Sequence, residues 1–321
     1  MSGPTVAVLS GGVGAARFLR GLVEVVNPGD VTAIVNTGDD TVLHGLHISP
    51  DLDTVIYTLS GAINPATGWG LVDETWATME SLERFTSHRP AGSTAGGTWF
   101  QLGDRDLATH LYRTHRLSEG ARLSTTIAEI ARAFGLTIHV LPMSDDLVET
   151  RVTVEGEGEI GFQDYFVGRR HDVAITAVRF RGIESAAAAP GVLDAINTAD
   201  VVIIAPSNPI VSIGPIVANA TIREAVTSRR DTVVAISPIV AGAALKGPAQ
   251  RMLVELGHEA SVVGVARLYR DLAGTLVIDR ADTDRQAEVE AVGVHAVVTD
   301  TVMGNSEVAA NLARATLAAG R

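Results

Sequence analysis

Short apolar runs alternate with longer amphipathic segments along most of the chain. The runs that predict strands are 5–9, 31–35, 201–205, 232–236, 262–265, 275–278 and 294–298. Between the first two runs, apolar residues recur at helical spacing from Phe18 to Val26. This alternation is typical of a parallel sheet whose strands are joined by helical crossovers. We therefore predict an α/β protein with a Rossmann-like, doubly wound, mainly parallel sheet in three layers.

The pattern changes near residue 137. Further apolar runs follow one another there with few helical segments between them, at 136–141, 151–154, 160–167 and 173–180. Such closely spaced runs favour antiparallel β structure. We predict a β-rich, partly antiparallel insertion at 137–182 within a core formed by 1–136 and 183–321. A single integrated domain is the alternative.

Composition and charge narrow the class of protein. Among 321 residues, 37 are acidic and 25 are basic, and the net charge of −12 makes a nucleic-acid partner unexpected. The absence of cysteine excludes disulfides, thiolate metal sites and a cysteine nucleophile. No signal peptide is apparent, and no apolar run approaches the ~20 residues of a membrane span. We expect a soluble cytoplasmic protein that does not bind membranes.

A glycine-rich turn, Ser10-Gly-Gly-Val-Gly14, lies between the first strand and the first helix. Backbone N–H groups at such a turn can hold phosphate oxygens. The turn does not complete the dinucleotide fingerprint, because Arg17 occupies its last glycine position and Asn36 replaces the acid after the second strand. A Rossmann-type dehydrogenase is therefore disfavoured, and a plain strand-to-helix turn is the structural alternative. Arg17 and Arg20 either steer an anion or remain solvated.

Two acidic motifs follow the second strand, Asn36-Thr-Gly-Asp-Asp40 and Ser49-Pro-Asp-Leu-Asp-Thr54. They place four carboxylates within fifteen residues, at Asp39, Asp40, Asp51 and Asp53. Carboxylates bind the hard cation Mg²⁺, which neutralises phosphates. Ordinary helix-start chemistry explains Asp51 equally well, and turn formation explains Asp39 and Asp40.

Histidine and arginine offer fewer clear signals. His44 and His47 lack an evident third ligand, so a zinc site is disfavoured. His110 and His115 are expected to be surface or packing residues of their helix. Arg105, in Gly103-Asp-Arg-Asp106, can pair with a phosphate or simply lie at a helix start.

The loop from Ala205 to Pro215 follows a predicted buried strand. Ligands of doubly wound sheets bind at the carboxyl ends of the strands. Ser207, Asn208 and Ser212 supply polar groups there for a nucleotide, and a structural proline turn is the alternative.

Taken together, the motifs resemble the 2-phospho-L-lactate transferase family (CofD), which includes the actinobacterial FbiA branch. The resemblance runs from about residue 5 to residue 305 and rests on Ser10-Gly-Gly-Val-Gly14, Asn36-Thr-Gly-Asp-Asp40, Ile48-Ser-Pro-Asp-Leu-Asp-Thr-Val55, Leu102-Gly-Asp-Arg-Asp106, Leu141-Pro-Met-Ser-Asp-Asp146 and Pro206-Ser-Asn-Pro-Ile210. It implies a Mg²⁺-dependent transferase in the biosynthesis of the deazaflavin coenzyme F₄₂₀. A phosphoenolpyruvyl or 2-phospholactyl group would pass from a guanosine diphosphate ester to the terminal ribityl hydroxyl of the deazaflavin Fo, with release of GMP.

On this resemblance, Asp40 and Asp53 are expected at the reacting phosphate. One would bind Mg²⁺, and the other would orient or deprotonate the hydroxyl. The substrate-binding residues expected with them are Gly11, Gly12, Asn36, Thr37, Asp51, Arg105, Ser207, Asn208 and Ser212. The family also implies a homodimer. The alternative is a CofD-like regulatory protein that binds a nucleotide sugar without transferase activity, and the two acidic motifs argue against it.

Overall fold

The computed structural model describes residues 3–244 and 247–320. The strands in chain order are β1 Val6–Ser10, β2 Val31–Val35, β3 Thr41–Leu43, β4 Leu46–Ile48, β5 His139–Pro142, β6 Glu149–Val154, β7 Gly158–Gly161, β8 Ile175–Arg181, β9 Val201–Ile204, β10 Val233–Ile236, β11 Ile239–Val240, β12 Ala243–Ala244, β13 Thr275–Asp279 and β14 His295–Thr299. The helices are α1 Gly12–Leu22, α2 Pro50–Leu59, α3 Ala77–Thr86, α4 Asp106–Ser118, α5 Leu123–Ala133, α6 Val192–Thr198, α7 Ile213–Ala218, α8 Ala220–Ser228, α9 Ala249–Glu255, α10 Val262–Tyr269, α11 Gln286–Ala291 and α12 Ser306–Ala319.

Seven parallel strands form the central sheet, in the order β14-β13-β10-β9-β1-β2-β5. The chain builds outward from β1 to β5 and then returns to the other side of β1 with β9. This reversal confirms the predicted doubly wound topology. It also creates a switch point between β1 and β9, because α1 after β1 and α7 after β9 pack on opposite faces of the sheet.

Helices cover both faces of the sheet. Successive side chains of a strand point to opposite faces. Accordingly, Val6 and Val8 pack with α1, α2, α5 and α12, whereas Ala7 and Leu9 belong to the cluster that includes α6 to α11. The predicted three-layer arrangement is therefore present.

The antiparallel part of the chain is a three-stranded sheet in the order β7-β6-β8. It packs through a small apolar cluster that contains Val152 and Tyr165 together with Val211 and Met252 of the core. Strand β5 falls within the range 137–182 but pairs in parallel with β2 in the central sheet. The expected strand 160–167 is also shorter, because β7 ends at Gly161 and residues 164–168 form a helical turn.

One predicted strand, near 262–265, is wrong: the segment forms the start of α10. The Ser261 hydroxyl accepts a hydrogen bond from the Gly264 N–H and caps the helix. Residues 262–266 are all buried. A short, wholly apolar run has the same pattern in a buried strand and in a buried helix, so periodicity cannot separate them.

Two smaller elements complete the surroundings of the switch point. The hairpin β3-β4 follows the first acidic motif, and α4 packs against β4 and α5. Within the described ranges, no helix combines the length and apolar character that crossing a bilayer requires.

Candidate functional site

A cleft of about 830 Å³ opens beside the carboxyl ends of the central strands. The glycine turn after β1 and the loop after β9 form one part of its wall. The first turn of α2 and the loops after β10 and β14 contribute others. The cleft therefore lies at the switch point that the strand order creates.

The glycine turn and the loop after β9 are in direct contact. The Ser207 hydroxyl donates to the Gly11 carbonyl oxygen at 2.7 Å and accepts from the Gly11 N–H at 3.3 Å. A Cβ on Gly11 would lie 2.6 Å from the Cβ of Ser212, and a Cβ on Gly14 would lie 2.1 Å from the Pro206 carbonyl oxygen. Glycine is required at both positions because the two loops approach so closely.

Ser207 and Asn208 line the cleft, as does Ser212. The Ser207 hydroxyl is engaged by the glycine turn. The Asn208 Oδ1 accepts from the backbone N–H of Ile210 at 2.9 Å and so stabilises its own loop. Ser212 is half-buried, and its hydroxyl has no side-chain hydrogen bond within the described part of the chain.

Asn36 links three segments behind the cleft wall. Its Nδ2 donates to Asp51 Oδ2 at 3.0 Å and to the Val211 carbonyl oxygen at 3.3 Å, and its Oδ1 accepts from the Gly38 N–H at 2.8 Å. An acid at this position would have no N–H to donate to Asp51. Asn36 and Thr37 are buried and lie outside the lining of the cleft.

Helix α2 presents two buried acids from its first turn, Asp51 and Asp53, to the cleft. Burial raises the pKa of Asp51 to about 6, although hydrogen bonds from Asn36 and Gly12 oppose the rise. Burial also raises the pKa of Asp39 well above its usual value, and the neighbouring Asp51 adds to that effect. These carboxylates are thus held in an environment that resists their negative charge.

Arg113 of α4 is fully buried, and its guanidinium forms an ion pair with Asp53. Its Nη2 donates to Asp53 Oδ1, and its Nη1 donates to the His47 carbonyl oxygen at 3.1 Å. Burial raises the pKa of Asp53, and the charges of Arg113 and His110 oppose that rise. For Asp53, the charge of Arg113 is the largest effect that opposes burial.

His110 and Asp106 extend the network along α4. His110 Nδ1 lies 3.7 Å from Asp53 Oδ2, and His110 Nε2 lies 3.3 Å from Asp106 Oδ2. The Tyr57 hydroxyl donates to Asp106 Oδ1 at 2.6 Å. The expectation that His110 is a surface or packing residue misses its position in the cleft wall. A signal was available, because Asp106, His110 and Arg113 recur at helical spacing on one face.

Besides Asn36 and Thr37, two further predicted residues, Asp40 and Arg105, lie outside the lining of the cleft. Asp40 is partly exposed, and its Oδ2 accepts from the Ser49 hydroxyl at 2.7 Å. Burial of its carboxylate raises its pKa, while Ser49 and Arg113 oppose the rise. Arg105 is exposed, and its Nη1 donates to the Val72 carbonyl oxygen at 3.3 Å. The predicted residues that do meet in the cleft are Gly11, Gly12, Asp51, Asp53, Ser207, Asn208 and Ser212.

Aromatic side chains form another part of the lining, which the sequence analysis missed. They are Trp69, Trp99, Phe100, Phe162 and Phe166. Phe162 and Phe166 stack with their ring centroids 5.5 Å apart and an angle of 7° between the rings. Flat apolar surfaces of this kind suit an aromatic ligand ring.

The acids also offer ligands for a cation. Asp39 Oδ1, Asp40 Oδ1 and Asp53 Oδ2 are buried and have no hydrogen-bond partner in the described part of the chain. Single atoms of Asp53, Asp106 and His110 lie within 4.8 Å of one another. Buried carboxylate oxygens without donors are the environment that a hard divalent cation stabilises. The residues present therefore fit Mg²⁺.

The fold and the cleft define a doubly wound α/β protein with an acid-lined ligand site at its switch point. The chain belongs to the CofD family, whose model, described as 2-phospho-L-lactate transferase CofD, matches residues 6–316. The predicted family is thereby confirmed.

Similar proteins bear two names. The chain is 44% identical over 316 residues to a phosphoenolpyruvate transferase of Streptomyces griseus, covering 97% of each chain. It is 36% identical over 306 residues to a 2-phospho-L-lactate transferase of Methanosarcina mazei, covering 95% of this chain and 97% of that one. A solved structure of a UPF0052 family protein from Bacillus halodurans is 18% identical, with a TM-score of 0.62 and 99% of both chains covered. At that identity, it supports the fold alone.

Replacing Arg113 by Met should leave Asp53 buried without its cation. We expect a loss of about 3–5 kcal/mol in the free energy of unfolding, the usual effect of removing one partner of a buried ion pair. Urea denaturation at pH 7 without divalent cations measures it. Arg116→Met on the same helix is the control, because Arg116 forms solvent-accessible ion pairs with Glu119 and Glu129. Equal losses in the two variants would contradict the importance of the buried pair.

The raised pKa of Asp51 predicts a pH-dependent loss of stability. Between about pH 4 and pH 6 the folded state keeps the Asp51 proton while the unfolded chain releases it, so rising pH favours unfolding. Relative to wild type, Asp51→Asn should gain on the order of 2–3 kcal/mol between these limits. Denaturation across this pH range, with EDTA present, measures the difference. A difference that does not vary with pH would refute the shift.

Proposed function

We propose that the protein transfers a phosphoenolpyruvyl group from its guanosine diphosphate ester to the terminal ribityl hydroxyl of Fo. The observation that carries the proposal is the meeting of the glycine turn and the buried acids in one cleft of a CofD-family chain. The higher identity to a relative named phosphoenolpyruvate transferase favours the enolpyruvyl donor over the lactyl one.

The reaction is a displacement at phosphorus. The ribityl oxygen of Fo forms a bond to the phosphorus that carries the three-carbon unit. The bond from this phosphorus to the oxygen that bridges the two phosphates breaks, and GMP leaves with the electron pair. The hydroxyl proton passes to a carboxylate. The product is a phosphodiester between Fo and the three-carbon acid. Because phosphoryl transfer depends on positioning and charge neutralisation, the protein needs little covalent chemistry.

Asp53 lines the cleft and is assigned to the reacting phosphate, and Asp40, which lies outside the lining, is assigned there on the family resemblance. Each has one buried oxygen without a hydrogen-bond partner in the described chain, and each is influenced by the charge of Arg113. One of the two would hold Mg²⁺, and the other would orient the Fo hydroxyl or accept its proton. Mg²⁺ held there would neutralise charge on the diphosphate.

The remaining lining suits the rest of the two substrates. The backbone at Gly11 and Gly12 faces the diphosphate, and Ser212 offers a free hydroxyl to the nucleotide. The aromatic side chains of the lining would give the deazaflavin ring a flat apolar surface. An acid-lined region and an aromatic region in one cleft support a reaction between an anionic donor and an aromatic acceptor.

Incubation of the purified protein with Fo, Mg²⁺ and each guanosine diphosphate ester tests the proposal. We expect release of GMP and a product with the mass of the enolpyruvyl phosphodiester of Fo. EDTA should abolish turnover, and excess Mg²⁺ should restore it. Asp53→Asn should lower kcat by about 10²–10³-fold, a typical cost of losing a charge-stabilising contact.

Asp231→Asn is the matched control for the charge change. Asp231 lies just before the amino end of β10, whereas the cleft lies at the carboxyl ends of the strands. Its side chain is 96% exposed. Full activity is expected for this variant. The absence of a product from both donors would defeat the proposed function, and near-normal turnover of Asp53→Asn would defeat the role of that acid.

A further inference from the structure

Arg17 is a cation in the cleft wall that the reaction outlined above leaves unused. It lies on α1, and it lines the cleft together with Val13 and Gly14 of the same helix. Its side chain is exposed. Within 3–244 and 247–320, it makes no hydrogen bond or ion pair with another side chain or backbone group. The guanidinium is therefore free to bind a ligand.

Acidic side chains outnumber basic ones in the lining of the cleft. Four acids line the cleft: Asp39, Asp51, Asp53 and Asp106. The buried Arg113 is already committed to Asp53, and His110 lies between Asp53 and Asp106. Among the lining residues that the structure describes, Arg17 is the one arginine or lysine. An anionic ligand that enters the cleft has this side chain as its available guanidinium.

The position of Arg17 relates it to the glycine turn. Gly12 is the first residue of α1, so Arg17 lies about 7.5 Å further along the helix axis at 1.5 Å per residue. Helical side chains lean back toward the helix N-terminus, and an arginine side chain is long enough to cover most of that distance. Its guanidinium can therefore reach a group bonded to a phosphate at the turn.

We propose that Arg17 binds the carboxylate of the three-carbon acid in the donor, and this inference rests on the proposed function. The donor carries two kinds of anion. Backbone N–H groups of the glycine turn and a Mg²⁺ held by the acids would neutralise the diphosphate, whereas neither is assigned to the carboxylate. A guanidinium matches a carboxylate with two parallel N–H donors, which a lysine ammonium cannot reproduce. Arg17 would then select donors that carry an acid beside the phosphate.

The test compares two ligands by calorimetry without Fo, so that no turnover occurs. One is the lactyl ester of guanosine diphosphate, and the other is its isopropyl ester, in which a methyl group replaces the carboxylate. Wild type should bind the lactyl ester more tightly. In Arg17→Gln we expect affinity for the lactyl ester to fall about 10- to 100-fold, the range for one charge-assisted hydrogen-bonded contact. Affinity for the isopropyl ester and for GDP should stay unchanged.

Two further variants sharpen the result. Arg20→Gln is the matched control, because Arg20 is exposed on the same helix but does not line the cleft. It should bind both esters like wild type. Arg17→Lys should keep only part of the preference for the lactyl ester over the isopropyl ester. The lysine ammonium keeps the positive charge but lacks the two parallel N–H donors of the guanidinium.

The outcomes separate this inference from the proposed function. Equal losses for the lactyl ester, the isopropyl ester and GDP would assign Arg17 to the diphosphate and overturn the carboxylate contact. An unchanged affinity for the lactyl ester would overturn it as well. Inactivity of the wild type with Fo and every donor defeats the proposed function, but the comparison of the two esters still decides whether Arg17 recognises the acid.

Discussion

The ion pair between Arg113 and Asp53 is the interaction on which the cleft depends. Several carboxylates are buried there within one small region. Burial raises the pKa of each one and so favours its neutral form. Arg113 supplies a buried positive charge and lies 60 residues beyond Asp53 in the chain. Asp53 therefore has its compensating positive charge only when α4 has docked beside α2, so formation of this part of the site and completion of the fold are coupled.

The docking of α4 also holds the segment that carries Trp69 and Trp99. Thr114 of α4 accepts a hydrogen bond from the His47 N–H at 2.8 Å, which joins the helix to the hairpin β3-β4. At the start of the helix, the Glu74 carboxylate accepts from the N–H groups of Arg105 at 2.8 Å and Asp106 at 2.9 Å. Gly103 permits this contact, since a Cβ there would lie 2.2 Å from Glu74 Cδ. The segment that carries Trp69 and Trp99 is thus tied to the helix that neutralises the acids.

The parts of the molecule that sequence analysis predicted are those specified by local pattern. Alternating runs give the parallel sheet, and the glycines after β1 mark the close approach of two loops. The acids of α2 were found for the same reason, because they stand at a helix start. The buried face of α4 was harder to predict from sequence, because the helix buries polar residues while Leu111 is 58% exposed. Asp53, Tyr57 and the His47 carbonyl oxygen make burial of that polar face favourable. Helical spacing marks the face, but these partners are distant in the chain and no local pattern identifies them. Asp40 illustrates the same limit, since adjacency to another acid did not place it in the cleft lining.

The cleft combines acids with a glycine turn, and these two features act oppositely on a phosphate ligand. The acids of the lining repel a diphosphate, whereas the backbone N–H groups of the glycine turn attract it. The two features are compatible in one cleft if a cation stands between the acids and the ligand. The buried oxygens of Asp39, Asp40 and Asp53 that lack donors in the described chain point to the same conclusion from the protein side. A cation offsets both the repulsion of the ligand and the unsatisfied burial of the acids, so binding of the metal and of the phosphate should reinforce each other.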